Sequence, residues 1–285
     1  MNWTNALRCP RCRANGLTID PPPNDGDPLP RRGEAICAGC GARYLIVDHL
    51  LDLAQRGDGS RRTLAGWSNL APLAPQIYEK LWRPRALTLL TGKPFPVARE
   101  IALVNEWLVA QPRELVVDLG SSTDLYARGI AKSAKGGLPA IVAIDLAAGM
   151  LRWGRDYARR EGVTTIAHVR APADRLPFAD GAVDALVCGG SLNEFRSMDA
   201  ALREARRVCA SNGRMVSMSL LAANSWRGKL AQTGARTSGI QFPSLDEFND
   251  TLDAAGWRRE KQKVFGAIAF SLLRRNDVKS GNGVL

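Results

Sequence analysis

Four cysteines constrain this chain more than any other feature. Cys9 and Cys12 form one C-x-x-C pair, and Cys37 and Cys40 form a second. Two such hairpins bring four thiolates together tetrahedrally, which is the arrangement Zn²⁺ accepts. Gly39 and Gly41 suit the tight turn in which backbone N–H groups approach sulfur. The pairs are separated by a Pro/Asp/Gly-rich loop, PPPNDGDPLPRRG. A core this small does not stabilise itself, so a metal there would supply folding energy. Four thiolates leave no open coordination position, so the expected site is structural Zn²⁺ and not a catalytic metal. His49 lies beside the pairs as a competing ligand.

Beyond this ribbon the pattern changes. A Gly/Ser/Arg linker, GDGSRRTLAGWSN, precedes helical patterns in PQIYEKLWRPRALTLL and PVAREIALVNEWLVA. In the second, Ile101, Val104, Trp107 and Leu108 recur at helical spacing. From about Glu114, strands alternate with helices. ELVVDLG, AIVAIDL, TIAHVRA, AVDALVCGG and GRMVSMSLL are apolar runs of the kind buried parallel strands have. MDAALREARRV is a helix with Met198, Ala201, Leu202, Ala205 and Val208 on one face. Ser244 and Glu247 fit a capping box before the stripe Leu245, Phe248 and Leu252. WRREKQKV and AIAFSLLRR, around Gly266, predict an antiparallel edge hairpin.

The expected class is therefore α/β, a mostly parallel sheet with an antiparallel edge hairpin, preceded by a small zinc ribbon. The expected boundaries are ribbon 1–54, linker and helical region 55–112, sheet domain 113–277 and tail 278–285.

Composition narrows the class further. With 45% hydrophobic and 24% charged residues, the 285-residue chain has globular composition. No run of about 18 apolar residues predicts a membrane span. The N-terminus, MNWTNALRCPRC, lacks an export signal's apolar stretch. A cytoplasmic protein without disulfides is expected, with Cys188 and Cys209 as buried packing thiols. The net charge of +11 comes from scattered arginine pairs. It suits a solvated surface, a nucleic-acid face or an anionic small substrate. Oligomeric state is not legible.

In an open α/β sheet, ligands sit at the carboxyl ends of the strands. There the chain reads Asp118-Leu119-Gly120-Ser121-Ser122-Thr123-Asp124, and Asp145 closes the next strand ~25 residues after Gly120. A carboxylate at about that spacing accepts ribose hydroxyls in nucleotide sites.

The ordered set VVDLGSSTDLYAR, AIDLAAGMLRWGRDYA, ADRLPFADGAVDALVCGGSLNEF and LREARRVCASNGRMV resembles class I S-adenosylmethionine-dependent methyltransferases, whose sheet is Rossmann-like. The nearest likeness is to the ubiquinone/menaquinone-type subgroup. Its most specific part is Leu176-Pro177-Phe178 followed by Asp180-Gly181 and Val183-Asp184. The ribbon, ending in Tyr44-Leu45-Ile46-Val47-Asp48, resembles the Trm112-like ribbon fused to some of these enzymes.

The resemblance implies S-adenosylmethionine as cofactor. It assigns Asp118, Gly120 and the loop through Ser122 to the methionine moiety, and Asp145 to the ribose. Leu146 and Met150 would flank the adenine, and Ala173 with Asp174 would meet its edge. Gly190 to Phe195 would face the methyl group, with Glu194 as a general base or a surface carboxylate and Asn193 beside it. Tyr78, Trp82, Trp226, Arg227 and Phe242 are candidate substrate contacts or ordinary packing residues, and 224–243 would form a lid.

The chain also departs from the family loop, Asp-x-Gly-x-Gly-x-Gly. Ser122 and Asp124 replace the second and third glycines, Pro172 stands where an acid often holds the adenine amino group, and Asn193 replaces a common histidine. A Cβ at Ser122 would crowd the cofactor. A carboxylate at Asp124 would repel the cofactor's own unless it met the amino group. Three readings follow. One is a methyltransferase acting on a small molecule of a specialised biosynthetic pathway. Another keeps the fold for a cyclisation, an elimination or a non-catalytic partnership. The last is an RNA methyltransferase, for which no RNA motif or dense basic patch is present.

Overall fold

The computed structural model describes residues 3–276 apart from 24–25, 56, 59–82, 135, 224–225 and 238. Tyr78 and Trp82 therefore lie outside the described residues, as does the side chain of Arg227.

The ribbon is an antiparallel meander of β1 (Leu17–Asp20), β2 (Arg32–Cys37), β3 (Arg43–Val47) and β4 (Leu50–Asp52). Its two cysteine knuckles have matching backbone. Arg13 N–H donates to the Cys9 carbonyl and Gly41 N–H to the Cys37 carbonyl, at 2.9 Å each. Both donors have positive φ, +66° and +68°. Gly41 adopts that conformation freely, whereas Arg13 does so with strain.

The second unit is built of β5 (Leu115–Leu119), β6 (Ala140–Asp145), β7 (Ile166–Arg170), β8 (Val183–Gly189), β9 (Cys209–Leu220), β10 (Trp257–Phe265) and β11 (Ile268–Arg275). Strands β5 to β9 pair in parallel, and β11 and β10 close the edge antiparallel, as the sequence predicts. The helices are α1 (Arg83–Thr91), α2 (Val97–Leu108), α3 (Leu125–Ser133), α4 (Ala148–Arg160), α5 (Met198–Val208), α6 (Trp226–Arg236) and α7 (Leu245–Ala254).

The strand order is β1-β2-β3-β4-β7-β6-β5-β8-β9-β11-β10. Connections run outward in both directions from β5, so the switch point, where a ligand crevice forms, lies at the carboxyl ends of β5, β6 and β8. One join is not legible in the sequence. β4 of the ribbon pairs in parallel with β7, Leu50 opposite His168 and Asp52 opposite Arg170. The ribbon is thus a continuation of the sheet.

The turn that aims β4 is Asp48-His49, both residues at positive φ (+52° and +59°). Glycine or asparagine usually fills such positions. Here the turn is held from outside. His49 Nδ1 lies 2.8 Å from the Leu29 carbonyl, and Arg155 of α4 donates to the Asp48 carbonyl. His49 is therefore spent on the seam between ribbon and sheet, away from the cysteines.

Apolar side chains fill both faces of the sheet. Helices α5 and α7 cover one face through Leu202 and Phe248, while α2, α3 and α4 cover the other through Val104, Ile130 and Leu151. On α2 the buried stripe is Glu100, Leu103, Val104, Trp107 and Leu108, which keeps three of the expected residues, adds Glu100 and Leu103, and leaves Ile101 half-buried. Helix α7 has its capping box, Ser244 Oγ accepting from Glu247 N–H and the Glu247 carboxylate from Ser244 N–H. Cys188 and Cys209 are fully buried. Among the described residues, no helix is long and apolar enough to cross a membrane.

Candidate functional site

The crevice at the switch point is lined by Arg83, Asp118, Gly120, Ser121, Ser122, Thr123, Leu125, Tyr126, Gly189 and Ser191. The loops after β5 and β8 close on each other. Ser191 Oγ donates to the Gly120 carbonyl at 2.8 Å. Gly120 sits at φ +66°, and a Cβ there would overlap Ser191. Backbone approach therefore requires glycine at this position.

Three carboxylates surround the loop. Asp118 Oδ2 accepts from Ala127 N–H at 2.9 Å, which orders the start of α3. Burial, reinforced by the charge of Asp124, pushes Asp118 up to about 8. Asp145 accepts from Ser122 N–H at 2.9 Å through one oxygen and from Ala147 N–H at 2.8 Å through the other. Burial raises it as well, against those hydrogen bonds.

Asp124 does not sit where the sequence reading put it. Every residue from Gly120 to Tyr126 borders the crevice except Asp124. Its side chain is fully buried beneath the loop, with Oδ2 2.6 Å from His168 Nε2. The expected repulsion of a ligand carboxylate thus gives way to a buried Asp–His pair. His168, on β7, has its polar partner in that carboxylate. Ser122 and Asp124 both have positive φ, +54° and +61°, a conformation that glycine adopts most freely.

The other predicted residues divide. Leu146 and Met150 lie on the β6–α4 turn and the first turn of α4, and Ala173 and Asp174 on the turn after β7. Gly190, at φ +94°, starts the turn that leads to Glu194. Glu194 is exposed by surface area, but desolvation by the protein packed around it, with Asp145's charge nearby and Arg83 opposing, pushes its carboxyl up to about 7. Asn193 is buried, and its side chain is fully engaged. Its amide donates to the Leu220 and Gln241 carbonyls, and its oxygen accepts from Leu220 N–H. Phe242 is buried against the Arg236 guanidinium, and Trp226 is exposed at the start of α6.

Sequence reasoning missed Arg83. Its guanidinium donates to buried Glu100 at 2.6 Å and lies over the Tyr126 ring, while the Tyr126 hydroxyl donates to the same Glu100 oxygen at 2.6 Å. Burial beside that carboxylate raises Tyr126 well above its ordinary range. A signal was present. Glu100 falls on the apolar stripe of α2, where an acid needs a buried partner.

In the ribbon, the four cysteine sulfurs lie within 4.8 Å of one another, with Cys9–Cys40 at 3.8 Å and Cys12–Cys37 at 3.6 Å. Zn–S bonds of about 2.3 Å in a tetrahedron put sulfurs ~3.8 Å apart, so the donor set fits that ion. Burial works against the Cys9 thiolate, but hydrogen bonds from the Tyr44 hydroxyl (3.1 Å) and the Cys12 and Arg11 backbone outweigh it and bring the thiol down to about 6.

Residues 117–217 match the family model described as a methyltransferase domain. An uncharacterized chloroplastic methyltransferase of Arabidopsis thaliana is 28% identical over 226 residues, covering 76% of this chain and 62% of that protein. Demethylmenaquinone methyltransferase of Thermobifida fusca is 37% identical over 110 residues, 36% of this chain and 42% of the enzyme. The chain thus spans less than two thirds of the length of either relative. A chain from the complex of the Haloferax volcanii Trm112 methyltransferase activator with a methyltransferase superposes with a TM-score of 0.58 at 13% identity, over 76% of this chain and 99% of that one. The chain therefore has a Rossmann-like α/β sheet, residues 117–217 of which are similar to a methyltransferase domain, with a four-cysteine cluster in its ribbon.

Proposed function

We propose that the protein is an S-adenosylmethionine-dependent methyltransferase acting on a small-molecule acceptor, with a structural Zn²⁺ in its ribbon. The observation that carries this reading is the crevice itself. It joins a glycine whose Cβ would overlap its neighbour, a buried Ser121 hydroxyl without a partner and the Asp118 carboxylate, while Asp145 at the end of the adjacent strand bonds the loop at Ser122 N–H. These features fit the amino-acid and ribose ends of the cofactor. Gly120 and the Ser121–Thr123 backbone would hold the methionine moiety, with Arg83 toward its carboxylate and Asp118 toward its ammonium. Asp145 would exchange Ser122 N–H for the ribose hydroxyls. Leu146, Met150 and the Ala173–Asp174 turn would enclose the adenine.

S-adenosylmethionine, when bound, supplies an electrophilic methyl group. The chain's part is to orient an acceptor and exclude water, and orientation can supply much of the acceleration. Glu194, at about 7, would take a proton from the acceptor near neutral pH. The side chain of Asn193 is committed to its three backbone contacts, so its role is to brace the turn that carries Glu194. Phe242 and α6, with Trp226 and Arg227, would border the acceptor. Calorimetry with S-adenosylhomocysteine tests the reading. Saturable one-to-one binding supports it, and no binding to the zinc-loaded protein rejects it.

One observation favours a second reading, a methyltransferase fold used for another reaction or partnership. Both Asp145 oxygens are occupied by backbone amides, and Asp145 is not among the residues that line the crevice. Failure of Asp145→Ala to change S-adenosylhomocysteine binding would favour it.

A further inference from the structure

The replacement of the loop's third glycine by Asp124 has a structural counterpart elsewhere in the chain. Asp124 stands at the N-cap of α3 yet makes no capping bond with its side chain. The carboxylate instead descends between α3 and α4. There it meets Gly154, where any Cβ would overlap it. Its Oδ2 is bonded to His168 Nε2, and its Oδ1 has no partner. Neither group is exposed, at 0% for Asp124 and 3% for His168. Three separated positions thus fit one another: an acid in the loop, a glycine in α4 that makes room for it, and an imidazole on β7 that satisfies it. A buried carboxylate stripped of its partner is costly, and this one belongs to the residue that ends the loop. Its backbone N–H also donates to the Ser121 carbonyl at 2.9 Å.

We propose that Asp124 and His168 together replace the missing glycine as a positioning pair, the imidazole holding the carboxylate below the loop so that the Ser121–Thr123 backbone faces the crevice in a ligand-ready shape. The pair rests on the proposed cofactor reading for its purpose, but not for its existence. His168 touches no bound group. It acts through Asp124.

Hydrogen exchange across residues 118–128 and calorimetry with S-adenosylhomocysteine test this together in four variants. His168→Ala should speed exchange in that segment and weaken binding at least tenfold. His168→Gln, whose amide nitrogen reaches close to the Nε2 position, should retain much of both. Asp124→Gly removes the carboxylate that needs a partner, so Asp124→Gly/His168→Ala should recover most of what His168→Ala loses. Equal losses in the single and double variants would overturn the pairing, as would wild-type behaviour of His168→Ala. If the wild type binds no S-adenosylhomocysteine while exchange follows the predicted pattern, the pair stands and the cofactor reading falls.

Discussion

Asp118 shows how a single buried carboxylate sets a pH dependence. Its pKa is raised to about 8, chiefly by burial, from an ordinary value near 4. The folded state therefore keeps a proton that the unfolded chain releases. The stability from this group is complete below about pH 4 and is lost as pH climbs through about 8. Asp118→Asn should flatten that decline, leaving the part due to Asp145 and Glu194, and urea midpoints at pH 5 and pH 9 measure the change. Glu194→Gln should lower kcat by about 10²-fold and remove a rising limb near pH 7, with S-adenosylhomocysteine affinity unchanged. The three carboxylates around the loop were unequally legible. Asp118 and Asp145 could be placed from strand ends and spacing alone. The orientation of Asp124 could not, because a residue at positive φ turns its side chain away from the direction its neighbours suggest, and its partner His168 lies 44 positions further along the chain.

At the scale of elements, the parallel strands and both capping residues of α7 followed from apolar runs and local hydrogen-bonding chemistry. Ser244→Ala should cost about 1 kcal/mol, read from thermal or denaturant melting. Helix α2 was legible with most of its buried face, but not Glu100 on that face, because its partners Arg83 and Tyr126 lie on other segments. Helix–loop packing is sharper still at Gly154. Gly154→Ala places a methyl group on the Asp124 carboxylate. It should destabilise the protein by roughly 1–3 kcal/mol and weaken S-adenosylhomocysteine binding, whereas the same substitution in an Asp124→Gly background should be much milder. That non-additivity is measurable as a coupling energy.

For the whole molecule, the two cysteine pairs announced a ribbon, and the alternation of strands and helices announced a sheet, but nothing in either pattern announced that they share one ladder. Pairing register between distant segments leaves no local trace. The link has a chemical continuation. Arg170 of β7 binds Asp52 of β4 at 2.9 Å, and its Nε donates to the Leu146 carbonyl beside the crevice at 2.9 Å. On the proposed Zn²⁺ reading, chelation should therefore loosen β4 as well as the knuckles and lower the melting temperature by about 2–4 °C for each kcal/mol lost.

The β4–β7 ladder has a further consequence, for colloidal behaviour. Ile166–Arg170 is an apolar strand whose outer backbone groups would face water if nothing lay beside it. An open strand of that kind recruits other chains. The meander β1–β4 caps this edge and moves the free edge outward to β1, a four-residue strand carrying Asp20. A chain shortened to begin after residue 54 should therefore self-associate where the intact protein stays monodisperse, and light scattering of the two at equal concentration would show it. By this measure the ribbon serves as the sheet's solubility guard.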